Sequence, residues 1–326
     1  MKEIPDFDIE RSQSVDYIMG SGLAKKAFEE PPFKNYANIL KELIESIDRL
    51  ADNCHMPEFT NHAMPHVCGM VKRASEWGEN DGWLGAASPL EAACLLMALV
   101  IHDIGMLSRD SRDIPDSERE KYLKGLSEPS NWVRRTHVAR IEKLVKSLLE
   151  DYMNEDQKLE TYLNVIIGMA ESHEKWPWDP GFVSREEDIL QIGLNKERVA
   201  AFNGVIAVCD LLDEDYSRCD ARTLLRHRHG TTENRAHWIR HGLTKSVERV
   251  SGHRTVVRMR RLDCQDLRME MVYRTLRNHY RLVKLYNDVL KVIGGEVGQI
   301  EFCPGDGIPR EEDGISKELE AYRDDP

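Results

Sequence analysis

The 326-residue chain carries 57 acidic against 45 basic side chains, a formal net charge of −12, which disfavours a general nucleic-acid binder and leaves room for a local basic patch. With 41% hydrophobic and 31% charged residues it falls among globular proteins, long enough for one large core or two smaller ones without covalent staples. Its seven cysteines (54, 68, 94, 209, 219, 264 and 303) form no CxxC pair, which argues against a disulfide framework or cysteine zinc knuckle and fits a reducing, cytoplasmic setting.

The N-terminal MKEIPDFDIERSQS lacks the basic-then-apolar order of a signal peptide. Residues 1–32, polar and Pro-punctuated, read as an irregular lead-in. From Phe33 to Asn53, Tyr36, Ile39, Leu40, Leu43, Ile44, Ile47 and Leu50 recur at helical spacing, which predicts an amphipathic helix. Further helices are expected over 65–77, 89–103, 130–150, 158–173 and 196–213. The longest apolar run, Ala92 to Ile101, is too short for a bilayer, and no membrane partner is expected. The polar stretch from Ile104 to Asn131 reads as a functional lid or as a solvated excursion. Strand-like alternation is nearly absent before residue 245, so the predicted fold class is all-α.

After residue 220 the character changes. RTLLRHRHG and NRAHWIRHG are basic, and KSVERVSGHRTVVRMRRLD alternates around Gly252 as a β-hairpin does. The following segment, from Asp263, reads as one long amphipathic helix stopped by Gly294 and Gly295. Its Met- and Tyr-rich face suits a core or a homodimer interface rather than a cofactor box. The expected organisation is a helical domain over 33–220, a C-terminal subdomain over 221–300 with hairpin and long helix, and an acidic, flexible tail over 301–326.

The strongest local feature is EAACLLMALVIHDIGML. A helix apolar on every side is buried, yet this one ends in His102 and Asp103. A buried ionised aspartate must be paired or metal-bound; the pair by itself also fits a helix cap or a local salt bridge. Four more ligand-type residues sit among apolar neighbours at helical spacing: His66 with Met70, His137 with Ile141 and Leu144, His173 with Ile166 and Met169, and Asp210 with Ile206 and Ala207. Each thus points inward, where a lone imidazole or carboxylate needs a partner. Taken singly, each histidine also fits an ordinary core or surface position; the set is what points to a metal. Along the chain the four histidines and Asp210 are spaced by 36, 35, 36 and 37 residues, room for a helix and its return loop, so the segments can converge in a bundle. Imidazole and carboxylate without thiolate suit Mn, Fe(II), Co, Ni or Zn, and Mg less. His62 lies near His66, but Pro65 suits the first helical position and leaves His62 outside the helix. His66 is therefore the expected ligand, and His62 a substrate contact or a surface residue.

The order His, His-Asp, His, His, Asp, carried by NHAMPHVCGMV, LVIHDIGML, RRTHVARIEKL, IIGMAESHEK and AVCDLLDEDYSR, resembles the histidine-aspartate (HD) metal-dependent phosphohydrolase superfamily over roughly residues 60–220. NRAHWIRHG and the following hairpin are similar to the HD subfamily often joined to chaperone-type ATPase modules, which implies an ATPase partner protein. The resemblance implies an HD-type helical bundle in which His66, His102, Asp103 and Asp210 hold one ion. His137 and His173 match the extra positions of two-metal members, in which Asp103 bridges, so two ions are expected. Ser172 departs from the pattern, since many two-metal members carry adjacent histidines there.

Metal ions lower the pKa of bound water toward ~7 and polarise phosphoryl oxygens. The expected function is hydrolysis of a nucleotide or nucleotide-derived phosphoester or anhydride, with His102 and Asp103 at the catalytic centre. Arg134, one turn before His137, serves as a phosphate clamp or pairs with a rim carboxylate. Lys175 and Arg218 are further substrate-binding cations or ordinary surface charges, and Glu174 orients His173 or is solvated. Trp176 or Trp178 stacks on a base or packs in the core. Two other functions fit: a metal-dependent nuclease on single-stranded nucleic acid, fed by Arg222–His229 and Arg254–Arg261, or a non-catalytic nucleotide sensor.

Overall fold

A computed structural model describes residues 11–29, 36–53, 64–107, 129–174, 183–213, 244–250, 254–259, 281, 283–298 and 300–303. Its axis is helix α6 (Pro89–Ile101), and the tetrad Ser88-Pro89-Leu90-Glu91 explains where that helix starts. The Ser88 hydroxyl accepts the Glu91 N–H, and the Glu91 carboxylate accepts the Ser88 N–H. Pro89 takes a position whose N–H has no helical partner. Arg198 then clamps Glu91 at 2.5 Å. Every side chain from Glu91 to Ile101 is buried. Among the described residues, only Pro89–Leu107 is long and apolar enough to cross a membrane, and 94% of that stretch is enclosed by the rest of the chain.

Around α6 stand α3 (Tyr36–Asn53), α4 (Met64–Asn80), α10 (Gln157–Glu171) and α12 (Lys196–Leu212), with α8 (Pro129–Leu148) packed against α10, close to where periodicity places them. Short helices α5 (Trp83–Ala86), α7 (Ile104–Leu107), α9 (Glu150–Glu155) and α11 (Glu186–Gln191) punctuate the connections. The expected helix over 130–150 breaks at Leu149, whose ψ of 15° leaves the helical region. The lead-in is not irregular where it is described: α1 (Arg11–Gly20) and α2 (Gly22–Ala27) are helical. Ile18, Leu23, Ala24 and Ala27 are buried, and α2 packs on α6. Helices this short are held by tertiary packing rather than by their own propensity, which is why no local pattern announced them.

The hairpin is present as β1 (Thr244–Val250) and β2 (Arg254–Met259), antiparallel, with Val247 opposite Val257. A bulge near Ser246 shifts the phase, so Thr244 and Val247 both face inward. A third strand, β3 (Ile300–Cys303), pairs parallel to β2 and makes β2 the central strand. With neighbours on both edges and packing on both faces, Thr255, Val256 and Val257 are all buried. Of the expected long helix, 283–293 is helical, labelled α13; residues 260–280 lie outside the described residues, as do 108–128 of the expected lid and the tail from 304. The fold is thus an all-α bundle with a small C-terminal sheet and helix.

Candidate metal centre

All six expected ligands are brought to one place. His66 comes from the first turn of α4, His102 and Asp103 from the end of α6, and His137 from α8. His173 comes from the 3₁₀ turn Ser172–Glu174 after α10, and Asp210 from the last turn of α12. Four ligands, His66, His102, Asp103 and Asp210, form one group with side-chain ligand atoms within 4.8 Å of one another, and Asp103, His137 and His173 form a second. In the first, Nε2 of His66 lies 3.2 Å from His102 Nε2 and 3.2 Å from Asp210 Oδ1. Asp103 Oδ2 lies 3.3 Å from His102 Nε2 and 3.8 Å from His66 Nε2. In the second, Asp103 Oδ1 lies 3.4 Å from His137 Nε2 and 3.7 Å from His173 Nε2, and the two nitrogens are 3.4 Å apart. Atoms each about 2.1 Å from a common ion lie about 3.0 Å apart at a right angle and about 3.4 Å apart at the tetrahedral angle. The separations of 3.2–3.4 Å fall within that span, and those of 3.7 and 3.8 Å, from Asp103 to His173 and to His66, lie a few tenths of an ångström beyond it.

The tautomers sharpen the case. His102, His137 and His173 each donate Nδ1–H to the carbonyl three residues earlier, of Leu99 (2.9 Å), Arg134 (2.7 Å) and Ala170 (2.5 Å). His66 is the third residue of α4, so no carbonyl of its own helix precedes it by three. There the Asp213 carboxylate accepts Nδ1–H instead, at 2.7 Å. With Nδ1 committed as donor, Nε2 of each neutral ring carries a lone pair, and these lone pairs face one another across 3.2 and 3.4 Å. Two such nitrogens need a proton or a cation between them. The residues present fit a divalent metal.

The protein's own charges set the remaining proton. Burial disfavours charge on His102, but the charge and hydrogen bond of Asp103, with help from Asp210 and the Leu99 carbonyl, outweigh it and push the imidazole up to about 9. Burial and the His102 charge hold His173 down at about 4. Asp210 stays ionised: burial opposes this, and the His66 hydrogen bond and the neighbouring imidazoles overcome it. An entering cation must displace the His102 proton. Metal affinity should therefore rise about tenfold per pH unit between the ordinary histidine value and about 9, with proton release visible by calorimetry. Because the folded value lies above 6.5, the stability that proton adds to the metal-free protein is full below 6.5 and is lost as pH rises through about 9. An affinity independent of pH across this window contradicts the assignment.

Close packing holds the two halves of the centre together. A Cβ at Gly105 would overlap the carbonyl of His137, so only glycine lets α7 approach α8. Gly105→Ala should separate the His102–Asp103 turn from His137, cost more than the roughly 1–3 kcal/mol typical of overpacking, and lower the thermal midpoint measured by circular dichroism.

Arg134 is half-buried one turn before His137 and holds that ring through its backbone carbonyl. His62, Lys175, Trp176, Trp178, Arg218 and the basic stretch Arg222–His229 lie outside the described residues. Within the other basic stretch, Arg254 faces Glu301 at 2.8 Å and Arg258 faces Glu248 at 3.8 Å. The buried thiols of Cys68, Cys94 and Cys209 are all free, and burial pushes each up to about 12. Sequence reasoning missed Asp213. Its signal was present in DLLDE, where a second aspartate follows Asp210 at helical spacing.

No curated protein and no solved structure matches this chain. The family model described as HD-CE matches residues 56–284, more than half of the chain and the whole span from which the six ligands come, and the chain belongs to that family.

Proposed function

We propose that this protein is a metal-dependent phosphohydrolase that holds two divalent ions and acts on a nucleotide or nucleotide-derived phosphoester or anhydride. One observation carries the reading: the two oxygens of Asp103 face different partners, Oδ2 toward His66 and His102, Oδ1 toward His137 and His173. A carboxylate so divided is arranged to bridge. Divalent ions held there supply a lowered pKa for water and a Lewis acid for a phosphoryl oxygen; the sulfur-free ligand set favours Mn, Fe(II), Co, Ni or Zn.

The remaining chemistry belongs to the chain. Asp103 is 5% exposed, and exclusion of water strengthens every charge interaction at the reacting phosphorus. Asp210, with 20% of its side chain exposed, is the most open of the ligands whose exposure bears on the site and turns that face of the centre toward substrate. In this reading Arg134, with Lys175 and Arg218, balances charge on nonbridging oxygens, and Trp176 stacks on a base. His62 contacts the substrate.

The test loads purified protein with Mn, Fe or Zn and assays nucleoside phosphates, cyclic nucleotides and single-stranded oligonucleotides for product release, with metal content measured in parallel. Wild type should bind two ions and turn over a nucleotide; His137→Ala should lower the stoichiometry from two toward one. A wild type with one ion refutes the two-ion version. Full metal loading with no turnover across the panel refutes the hydrolase.

A further inference from the structure

We infer that Asp213 is a positioning residue for His66, and that Arg73 ties it to strand β1, so that the seating of the C-terminal sheet sets how tightly one of the two ion positions is held. The inference rests on the metal reading above and concerns residues that reading does not use.

His66 differs from the other three imidazoles. They lean on carbonyls of their own helices, whereas His66 is oriented by a carboxylate from another helix. That carboxylate is fixed. Asp213 caps α12, its N–H bonding to the carbonyls of Cys209 (3.0 Å) and Asp210 (3.2 Å), so it is locked to the same turn that presents Asp210. Its side chain is 8% exposed, with Oδ2 spent on His66 and Oδ1 turned to Arg73.

Helix α4 is shaped to admit it. Gly69 sits mid-helix, where glycine is disfavoured relative to alanine, and a Cβ there would stand 2.5 Å from Asp213 Oδ1 and 3.0 Å from Cγ. The missing side chain is the space the carboxylate occupies.

Arg73, itself buried, lies seven residues after His66 on the same face of α4. Its Nη2 reaches Asp213 Oδ1 at 3.4 Å, and its Nη1 donates to the carbonyl of Val247 in β1 at 2.6 Å. Trp77 supports the guanidinium from one side, 5.7 Å from ring centroid to Cζ. A continuous path therefore runs from β1 through Arg73 and Asp213 to Nδ1 of His66. His137 and His173, on the other side of Asp103, are held by Arg134 and Ala170 carbonyls, so the path bears on one ion position and not equally on both.

That asymmetry makes the test specific. Full-length variants are titrated with Co(II), following the visible spectrum and bound-ion stoichiometry, with circular dichroism as the check of folding. Asp213→Ala should weaken one position by about 10–100-fold, as loss of a partner behind a ligating imidazole does, and leave the other unchanged. Asp213→Asn keeps an acceptor for His66 but turns its amide NH₂ toward Arg73. It should lose less than the alanine variant and resemble Arg73→Met. Combining Asp213→Asn with Arg73→Met should add no further loss, because both cut the same link. Gly69→Ala should reproduce the selective weakening by displacing the carboxylate without altering charge, and it carries the test if Asp213→Ala does not fold.

Wild-type affinity in Asp213→Ala, equal weakening of both positions, or an asparagine variant no better than alanine overturns the positioning role. Unchanged affinity in Arg73→Met, or additive losses in the double variant, overturns the tie to β1. A wild type that binds no Co(II) overturns the metal reading itself.

Discussion

Asp103→Ala should lose both ions and all measurable turnover, a larger effect than replacing any other ligand. The reason is arithmetic on one side chain: Asp103 belongs to both ligand groups, while His66, His102 and Asp210 belong to one and His137 and His173 to the other. Replacing a singly used ligand should leave the opposite group assembled, so Asp210→Ala is expected to retain an ion at His137 and His173. The loss in Asp103→Ala should exceed the about 10–100-fold that follows removal of a mere orienting partner. It should also differ in kind, since alanine leaves His102 without the neighbouring charge that raises its affinity for a proton. Asp103→Asn is the informative companion: it preserves shape but offers one acceptor oxygen in place of two. Metal analysis beside phosphate release decides the matter. An Asp103→Ala protein that keeps an ion at wild-type affinity would falsify the shared-ligand assignment.

The second large effect is on stability. Asp81→Ala should cost about 3–5 kcal/mol, the usual consequence of stranding one member of a buried charge pair. The Arg249 and Asp81 side chains are both fully buried, 2.9 Å apart. Arg249 also donates to Thr255 and to the Glu296 carbonyl. Tyr286 donates to Asp81 at 2.9 Å and accepts from the Trp83 indole at 3.0 Å, and its hydroxyl is raised well above its usual range by burial and by Asp81. Five elements meet at this cluster: the end of α4, α5, both hairpin strands and α13. Removing the carboxylate leaves a guanidinium, a phenol and an indole to rearrange without water. At about 2–4 °C per kcal/mol for chains of 150–250 residues, the fall in thermal midpoint should be readily seen in a melting curve. The paired replacement Asp81→Leu with Arg249→Met should recover much of the loss, because no charge is then left alone. A single Asp81→Ala variant that melts with wild type contradicts the account.

Much of the ligand set was legible because burial and polarity conflict along one line of text. A helix with no polar face that ends in His-Asp has to be buried and has to satisfy that pair, and α6 does both. Near-even spacing of the other candidates had a different physical basis: a helix and its return bring the chain back past the same region of a bundle. Pro65 marked the start of α4 to within one residue, since the helix begins at Met64 and Pro65 is its second residue. The alternation around Gly252 likewise announced β1 and β2.

Other features are absent from any local pattern. The helices α1 and α2 draw their stability from contact with α4 and α6 rather than from their own apolar periodicity. Strand β3 is four residues long and is defined by the edge of β2 that it completes. Arg73 and Gly69 look like an ordinary base and glycine in the sequence, and the helical spacing of Asp213 from Asp210 does not say which imidazole it meets, since their meaning lies in distances between α12, α4 and β1.

By itself, then, the sequence determined which residues had to be buried, which of those were able to ligate, and that each ligand segment belongs to a different helix or helix end, because hydrophobic periodicity is a local property of the chain. Only the tertiary structure decided that Asp103 turns one oxygen to each ligand group, that each imidazole presents Nε2, and that His66 leans on Asp213. Those outcomes depend on angles and separations of a few ångströms between elements far apart in the chain, which packing sets and composition does not.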